Sequence, residues 1–208
     1  MRSVAERERG EPSERRESVA LMSLAKAAAL GDTAATTHLL RKLAPEMARV
    51  VRGVMGAYTA DVDDATQQAL VALIHALPAF RGECAPAGYA CRIAFRTALA
   101  VRKRVQRGRR LADPSIDTDG FPGSESPSAQ REAARRMALL RTLLDELPTE
   151  QAEALCLRTV LGWSLEEIAQ ASGAPLNTVR SRLRLAKEAM RTKISADPSL
   201  ASELGVES

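Results

Sequence analysis

The chain has 208 residues, 45% of them hydrophobic but only 3% aromatic, and 30 Lys and Arg against 26 Asp and Glu give a net charge of +4. No run of about 18 apolar residues occurs, which argues against a membrane span, and the charged N-terminus lacks the apolar run of a signal peptide. Much of the apolar content is Ala and Leu, strong helix formers, which argues against a strand-rich fold. Residues 1–17 crowd Arg2, Glu6, Arg7, Glu8, Arg9, Glu11, Glu14, Arg15, Arg16 and Glu17 into a stretch with little to bury. Composition therefore predicts a disordered charged tail there.

From Ser18 the pattern turns helical, opening with Val19, Leu21, Met22 and Leu24. Gly31-Asp32 reads as a break followed by an N-cap. Leu39, Leu43, Met47, Val50, Val51 and Val54 then recur at helical spacing, with Pro45 expected to kink or divide the run and Gly56 to stop it. Asp61 or Asp63 starts the next helix, whose apolar stripe is Ala65, Ala69, Leu73, Ile74 and Leu77. Pro86 suits the first turn of a helix running through Ile93, Ala94, Ala98 and Val101 toward Arg110. Residues 113–128 hold Pro114, Pro122 and Pro127 with Gly120 and Gly123, carry Asp113, Asp117, Asp119 and Glu125, and have no Lys or Arg. They read as a flexible acidic linker. Periodicity resumes with Met137, Leu140, Leu144 and Leu147, and Thr149 is placed to cap a helix with Ala152, Leu155 and Val160. The expected fold is all-α: two small helical domains joined by the linker, the second a helix-turn-helix. The expected divisions are a tail at 1–17, a first domain at 18–112, a linker at 113–130, a second domain at 131–195 and a C-terminal tail at 196–208.

The strongest local signal runs from Gly162 to Leu183. Ser164 and Glu167 make a capping box, and Leu165, Ile168 and Ala169 form an inner face. Gly173 allows a tight turn, and a second helix begins near Pro175 or Leu176 with the stripe Val179, Leu183, Ala186, Met190 and Ile194. Its other face carries Arg180, Arg182, Arg184, Lys187, Arg191 and Lys193 against a single acid, Glu188. In a helix-turn-helix the second helix enters the major groove. Asn177, Thr178, Arg180, Ser181 and Arg184 are placed to reach bases, Arg for guanine and Asn for adenine, and Lys187 to reach phosphate.

A second basic cluster comprises Arg92, Arg96, Arg102, Lys103, Arg104, Arg107, Arg109 and Arg110, uninterrupted by any acid. Such a helix would track a phosphate backbone. Phe80, Tyr89 and Phe95 lie nearby, suited either to unstacked bases or to a core. Cys84, Cys91 and Cys156 form no C-x-x-C, and His38 and His75 have no clustered partners. No metal and no cofactor is therefore expected. No Ser/His/Asp, Cys/His or phosphate-loop arrangement stands out, so no catalytic residue is assigned.

These features together resemble the extracytoplasmic-function (ECF) sigma factors of the sigma-70 family, across roughly residues 22 to 194. Leu147-Pro148-Thr149-Glu150-Gln151, Leu155-Cys156-Leu157-Arg158 and the string Thr178-Val179-Arg180-Ser181-Arg182-Leu183 are similar to the family's minus-thirty-five-reading domain. Asp64-Ala65-Thr66-Gln67-Gln68 looks like the segment that grips the polymerase clamp helices, with Gln68 where Glu is frequent. Phe80-Arg81-Gly82-Glu83 resembles the lead-in to a base-capturing loop. Three departures fall in the melting helix: Tyr89 for a common Trp, Arg96 for Asn and Ala100 for Asp.

The resemblance implies a cytoplasmic, non-enzymatic subunit that docks on core RNA polymerase through Asp64, Gln67 and Gln68. It implies that Arg81, Tyr89, Arg92, Arg96, Arg102 and Lys103 engage and melt the minus-ten element, and that the helix-turn-helix reads the minus-thirty-five element. An anti-sigma factor is the partner it implies besides polymerase and promoter DNA. Two rivals stand beside it: a stand-alone DNA-binding regulator, and a sigma-like regulatory protein that binds polymerase or DNA without opening promoters.

Overall fold

In the computed structural model the described residues are 4–56, 61–112 and 128–204, with side chains described at 16–56, 61–108 and 135–204. All regular elements among them are helical. They are α1 (Val4–Ala29), α2 (Thr33–Met55), α3 (Asp61–Ala76), α4 (Pro86–Ala112), α5 (Ser128–Asp145), α6 (Thr149–Val160), α7 (Leu165–Ser172), α8 (Leu176–Ala196) and α9 (Pro198–Leu204), with a 3-10 turn at Leu77–Ala79. The expected acidic linker lies outside the described residues for most of its length.

Helices α1 to α4 form an N-terminal unit centred on α2. The Asp32 carboxylate accepts from the amides of Ala34 and Ala35 at 2.8 and 2.9 Å and starts α2. Gly56 ends it at φ +97°, a conformation costly for any residue with a Cβ. Leu39, Leu43, Met47, Val50, Val51 and Val54 are all buried, as their spacing predicts. Each such aliphatic side chain contributes about 1.5–3 kcal/mol by leaving water. Against them pack Ala25 and Ala28 of α1, Val62, Ala65, Ala69 and Leu73 of α3, and Ala90, Cys91, Ala94, Phe95 and Ala98 of α4.

Helices α5 to α9 form the C-terminal unit. Its core joins Leu143, Ala152, Ala154, Leu155, Cys156 and Leu157 to Ile168, Ala171, Val179, Leu183 and Ala186. The two units touch: α2 and α4 of the first pack on α6 of the second, and α4 also packs on α7.

Several expectations are corrected. Helix α1 starts at Val4, not near Ser18, so the segment read as a tail has helical backbone. Its Glu and Arg residues are good helix formers, a preference that outweighs the lack of apolar spacing. Pro45 lies inside an uninterrupted α2, whose buried stripe continues on both sides of it. Thr149 is the first residue of α6 and not its cap; Pro148 holds the cap position without a side-chain hydrogen bond. Ile74 faces outward at 41% exposure, one position off the stripe of Ala65, Ala69 and Leu73. Residues 198–204, read as tail, form α9: Asp197 accepts from the amides of Ser199 and Leu200, and Ala201 is buried.

Candidate nucleic-acid interface

The helix-turn-helix is built as its sequence specifies. Ser164 Oγ accepts from the Glu167 amide at 3.1 Å, while the Glu167 carboxylate accepts from the Ser164 amide at 2.6 Å. Both ends of the capping box are therefore formed. Gly173 closes α7 in the left-handed region at φ 63°, ψ 19°, and its amide reaches the Ala169 carbonyl. With Val179, Leu183 and Ala186 turned inward, α8 presents Asn177, Arg180, Ser181, Arg184, Lys187 and Arg191 to solvent, and Thr178 sits half-buried beside them. The face is lightly self-paired: Arg180 Nη1 donates to Asn177 Oδ1 at 3.2 Å and Arg184 Nη1 to Glu188 at 2.8 Å. Both contacts are exposed, so screening leaves them weak and a phosphate or base edge can replace them. The amides of the first turn of α8 add positive potential at the same end.

The second basic cluster is disposed differently. Arg92 Nε donates to Glu153 Oε1 at 2.8 Å, and Arg96 Nε to Glu153 Oε2 at 3.5 Å. Arg92 Nη1 also donates to the Ser172 carbonyl at 3.4 Å. Arg102 Nε donates to Asp145 Oδ2 at 2.9 Å, and Gln106 shares that oxygen at 3.2 Å. Three of the four basic side chains assigned to minus-ten DNA on α4 thus engage carboxylates of the C-terminal unit. Lys103 is half-buried, while Arg81 on the preceding loop and Arg104 on α4 are exposed.

Tyr89 is half-buried: its hydroxyl donates to the Ala76 carbonyl at 3.0 Å and its ring tilts against Phe80 with centroids 5.1 Å apart. Burial, reinforced by the nearby Cys84, raises the phenol pKa above its ordinary value. Phe80 and Phe95 are buried and belong to the core.

On α3, Asp64 and Gln67 are exposed and Gln68 half-exposed, its amide donating to the Asp64 carboxylate at 2.6 Å. Val71 and Ile74, exposed by 51% and 41%, continue the stripe along the helix. Polar groups beside uncovered aliphatics on one face suit a protein partner.

Glu153, Asp145 and the backbone acceptors between the units were not assigned from sequence. Arg49 Nη2 donates to the Val160 carbonyl at 3.1 Å, and Arg141 Nε to the Gly53 carbonyl at 3.0 Å. Glu153 had one available signal: it interrupts the apolar run Ala152–Leu157, all of which is buried. A charge inside such a run demands a partner.

The architecture is that of a two-part, all-helical DNA-binding protein, and its parts match known families in the same order. Residues 39–108 match the sigma-70 region 2 family and residues 137–190 the sigma-70 region 4 family. The ECF RNA polymerase sigma-E factor of Escherichia coli K12 is 34% identical over 144 residues, covering 64% of this chain and 74% of that protein. The RNA polymerase sigma-H factor of Pseudomonas aeruginosa is 35% identical over 150 residues, covering 68% and 76%. Among solved structures, CnrH, in complex with the cytosolic domain of CnrY, shares the fold at a TM-score of 0.53 and 24% identity, over 86% of this chain and 99% of that one. The chain belongs to the ECF sigma factors of the sigma-70 family, and its function is promoter-specific initiation of transcription.

Proposed function

We propose the following division of labour within that function. Asn177, Thr178, Arg180, Ser181 and Arg184 read the minus-thirty-five element in the major groove, and Lys187 holds the adjacent phosphate. Arg81, Tyr89, Arg92, Arg96, Arg102 and Lys103 engage the minus-ten element as it melts. Asp64, Gln67 and Gln68, extended by Val71 and Ile74, dock on core RNA polymerase. The observation that carries the reading is α8, whose outward face is basic and lightly paired while its inward face is locked by Val179, Leu183 and Ala186. Each unit alone makes a small contact, and tethering on polymerase supplies the second at high effective concentration.

The subunit does no chemistry of its own in this reading and works in the cytoplasm beside the nucleoid. Among the described residues no helix is long and apolar enough to cross a membrane. An anti-sigma factor is the proposed regulatory partner, as CnrY is a binding partner of CnrH. Single-round transcription with purified core polymerase on pooled promoter fragments tests the whole. Discrete transcripts that require this chain, and that vanish with Arg180→Ala plus Arg184→Ala, are expected. Absence of transcripts despite stable binding to core polymerase would overturn it in favour of a sigma-like regulator.

A further inference from the structure

A cavity of about 600 Å³ lies where α2, α4, α5, α6 and α8 meet. Phe95 and Leu99 of α4, Leu140 and Leu144 of α5, Leu155 of α6 and Met190 of α8 make much of its wall. Protein interiors seldom leave voids larger than a water molecule, and a void forfeits the dispersion contacts of the atoms that line it. A space of this size falls within the range of about 300–1,000 Å³ that small-molecule sites occupy. An apolar cavity holds water poorly and takes up apolar molecules instead.

The charge left over at the cavity is positive. Thr159 lines it, but its hydroxyl is spent on the Leu155 carbonyl at 2.9 Å. Asp145 is the acid in the wall, and Arg102 neutralises it at 2.9 Å. Lys187 and Arg191, one turn apart on α8, line the same cavity and are exposed to solvent, so they stand at its mouth. Among the described residues neither has an ion-pair partner. Arg141 adds a further positive charge to the wall, its Nε donating to the Gly53 carbonyl at 3.0 Å.

These features select a class of ligand. A nucleotide or a sugar would leave polar groups against aliphatic walls without partners, which is costly. A cationic amphiphile would meet like charge at Lys187 and Arg191. We propose that the cavity binds a single-chain anionic amphiphile, a long-chain fatty acid. Its chain lies among Phe95, Leu99, Leu140, Leu144, Leu155 and Met190, and its carboxylate accepts from Lys187 and Arg191 at the mouth. A guanidinium suits that head group because it can donate two parallel hydrogen bonds to a carboxylate. Met190, unbranched and polarizable, lets the wall adapt to a flexible chain. Binding of this kind needs neither polymerase nor promoter DNA, so the proposal stands apart from the division of labour given above.

Isothermal titration calorimetry of the full chain with laurate, kept below its micelle-forming concentration, tests the site. One laurate per chain is expected to bind saturably. Octanoate should bind roughly a hundredfold more weakly, since it buries four fewer methylene groups. Dodecyltrimethylammonium, with a chain of the same length and the opposite charge, should bind roughly tenfold more weakly or worse. Two variants of different physics locate the ligand. Lys187→Glu with Arg191→Glu reverses the charge of the mouth and should weaken laurate by roughly tenfold or more, with helical circular dichroism unchanged. Leu140→Trp fills the cavity from α5 and should weaken laurate by roughly as much. If Leu140→Trp fails to fold, the charge-reversed chain, altered only at exposed positions, decides alone. The absence of saturable laurate binding overturns the proposal and leaves the groove to a protein segment. Equal binding of the two amphiphiles, or laurate binding that ignores the charge reversal or the filled cavity, overturns it as well, since the ligand is then adsorbed elsewhere. Promoter-dependent transcription is read without laurate, so this proposal and the assignments to promoter DNA fail independently.

Discussion

Arg102 on α4 and Asp145 at the end of α5 form a nearly buried ion pair: Arg102 Nε meets Asp145 Oδ2 at 2.9 Å, and the side chains are 10% and 14% exposed. The same guanidinium donates from Nη1 to the Val54 carbonyl at 3.0 Å, so one side chain ties α2, α4 and α5 together. Asp145→Ala would strand the Arg102 charge in a poorly solvated site. It should lower the denaturation midpoint by an amount equivalent to about 3 kcal/mol. Glu188→Ala removes an exposed partner of Arg184 and should cost less than about 1 kcal/mol. Urea unfolding of the two variants side by side checks the contrast, and equal effects would contradict the placement of Asp145.

The capping box makes a second, local prediction. Ser164→Ala deletes the acceptor for the Glu167 amide and should destabilise the C-terminal unit by about 1 kcal/mol. Ser164→Asp keeps an acceptor at the same place and should be close to neutral. Thermal unfolding followed at 222 nm distinguishes them.

The contrast between these two sites explains what was legible in the sequence. The capping box, the turn at Gly173 and the stripe of α8 depend on residues within a few positions of one another, and local spacing specifies them. The α2 stripe was equally readable because one helix supplies its whole period. Glu153 and Asp145 could not be paired with Arg92, Arg96 and Arg102 in advance, because separations of 43 to 61 residues carry no periodic signal. An acid-free run such as Arg92–Arg110 looks like an open phosphate-tracking surface until the fold brings acids to it. Helix α9 escaped for a related reason: its anchor is the single buried Ala201, too little to form a visible pattern.

On the recognition helix, Arg180→Ala combined with Arg184→Ala should reduce promoter-specific transcription by roughly a hundredfold, since each bidentate base contact is worth about 1–3 kcal/mol. Lys187→Ala should weaken binding evenly across promoter sequences and reduce its salt dependence. Fluorescence anisotropy on matched and scrambled duplexes across a salt series separates the two behaviours. Both side chains of the double variant are exposed, so thermal stability should hold.

The outer stripe of α3 offers a test of polymerase docking free of folding effects. Val71 is 51% exposed and contributes little to the core. Val71→Glu should leave the unfolding temperature within a degree or two while weakening association with core polymerase by roughly tenfold or more. Asp64→Lys should act in the same direction through charge. Unimpaired association of both variants, measured by surface plasmon resonance, would remove α3 from the docking surface.

The buried thiols give the chain a defined alkaline response. Burial, with the Glu153 carboxylate adding to it, pushes the Cys156 thiol up to about 12 from its ordinary 9.0. Burial raises the Cys91 thiol in the same way. Below pH 9 both thiols are protonated in the folded and unfolded chain alike, so their contribution to stability is fully present. As the pH rises from 9 toward 12 the unfolded chain loses these protons first, and stability falls through that window. Cys156→Ala removes one of the two linked groups. It should lower stability at neutral pH, where a well-packed sulfur is lost, yet flatten the decline between about pH 9 and pH 11. Urea midpoints of the parent and variant across that range test the sign, because Lys and Tyr titration is common to both chains and cancels in the difference. A parallel decline in the two would mean that the Cys156 thiol is reached by water in the folded chain.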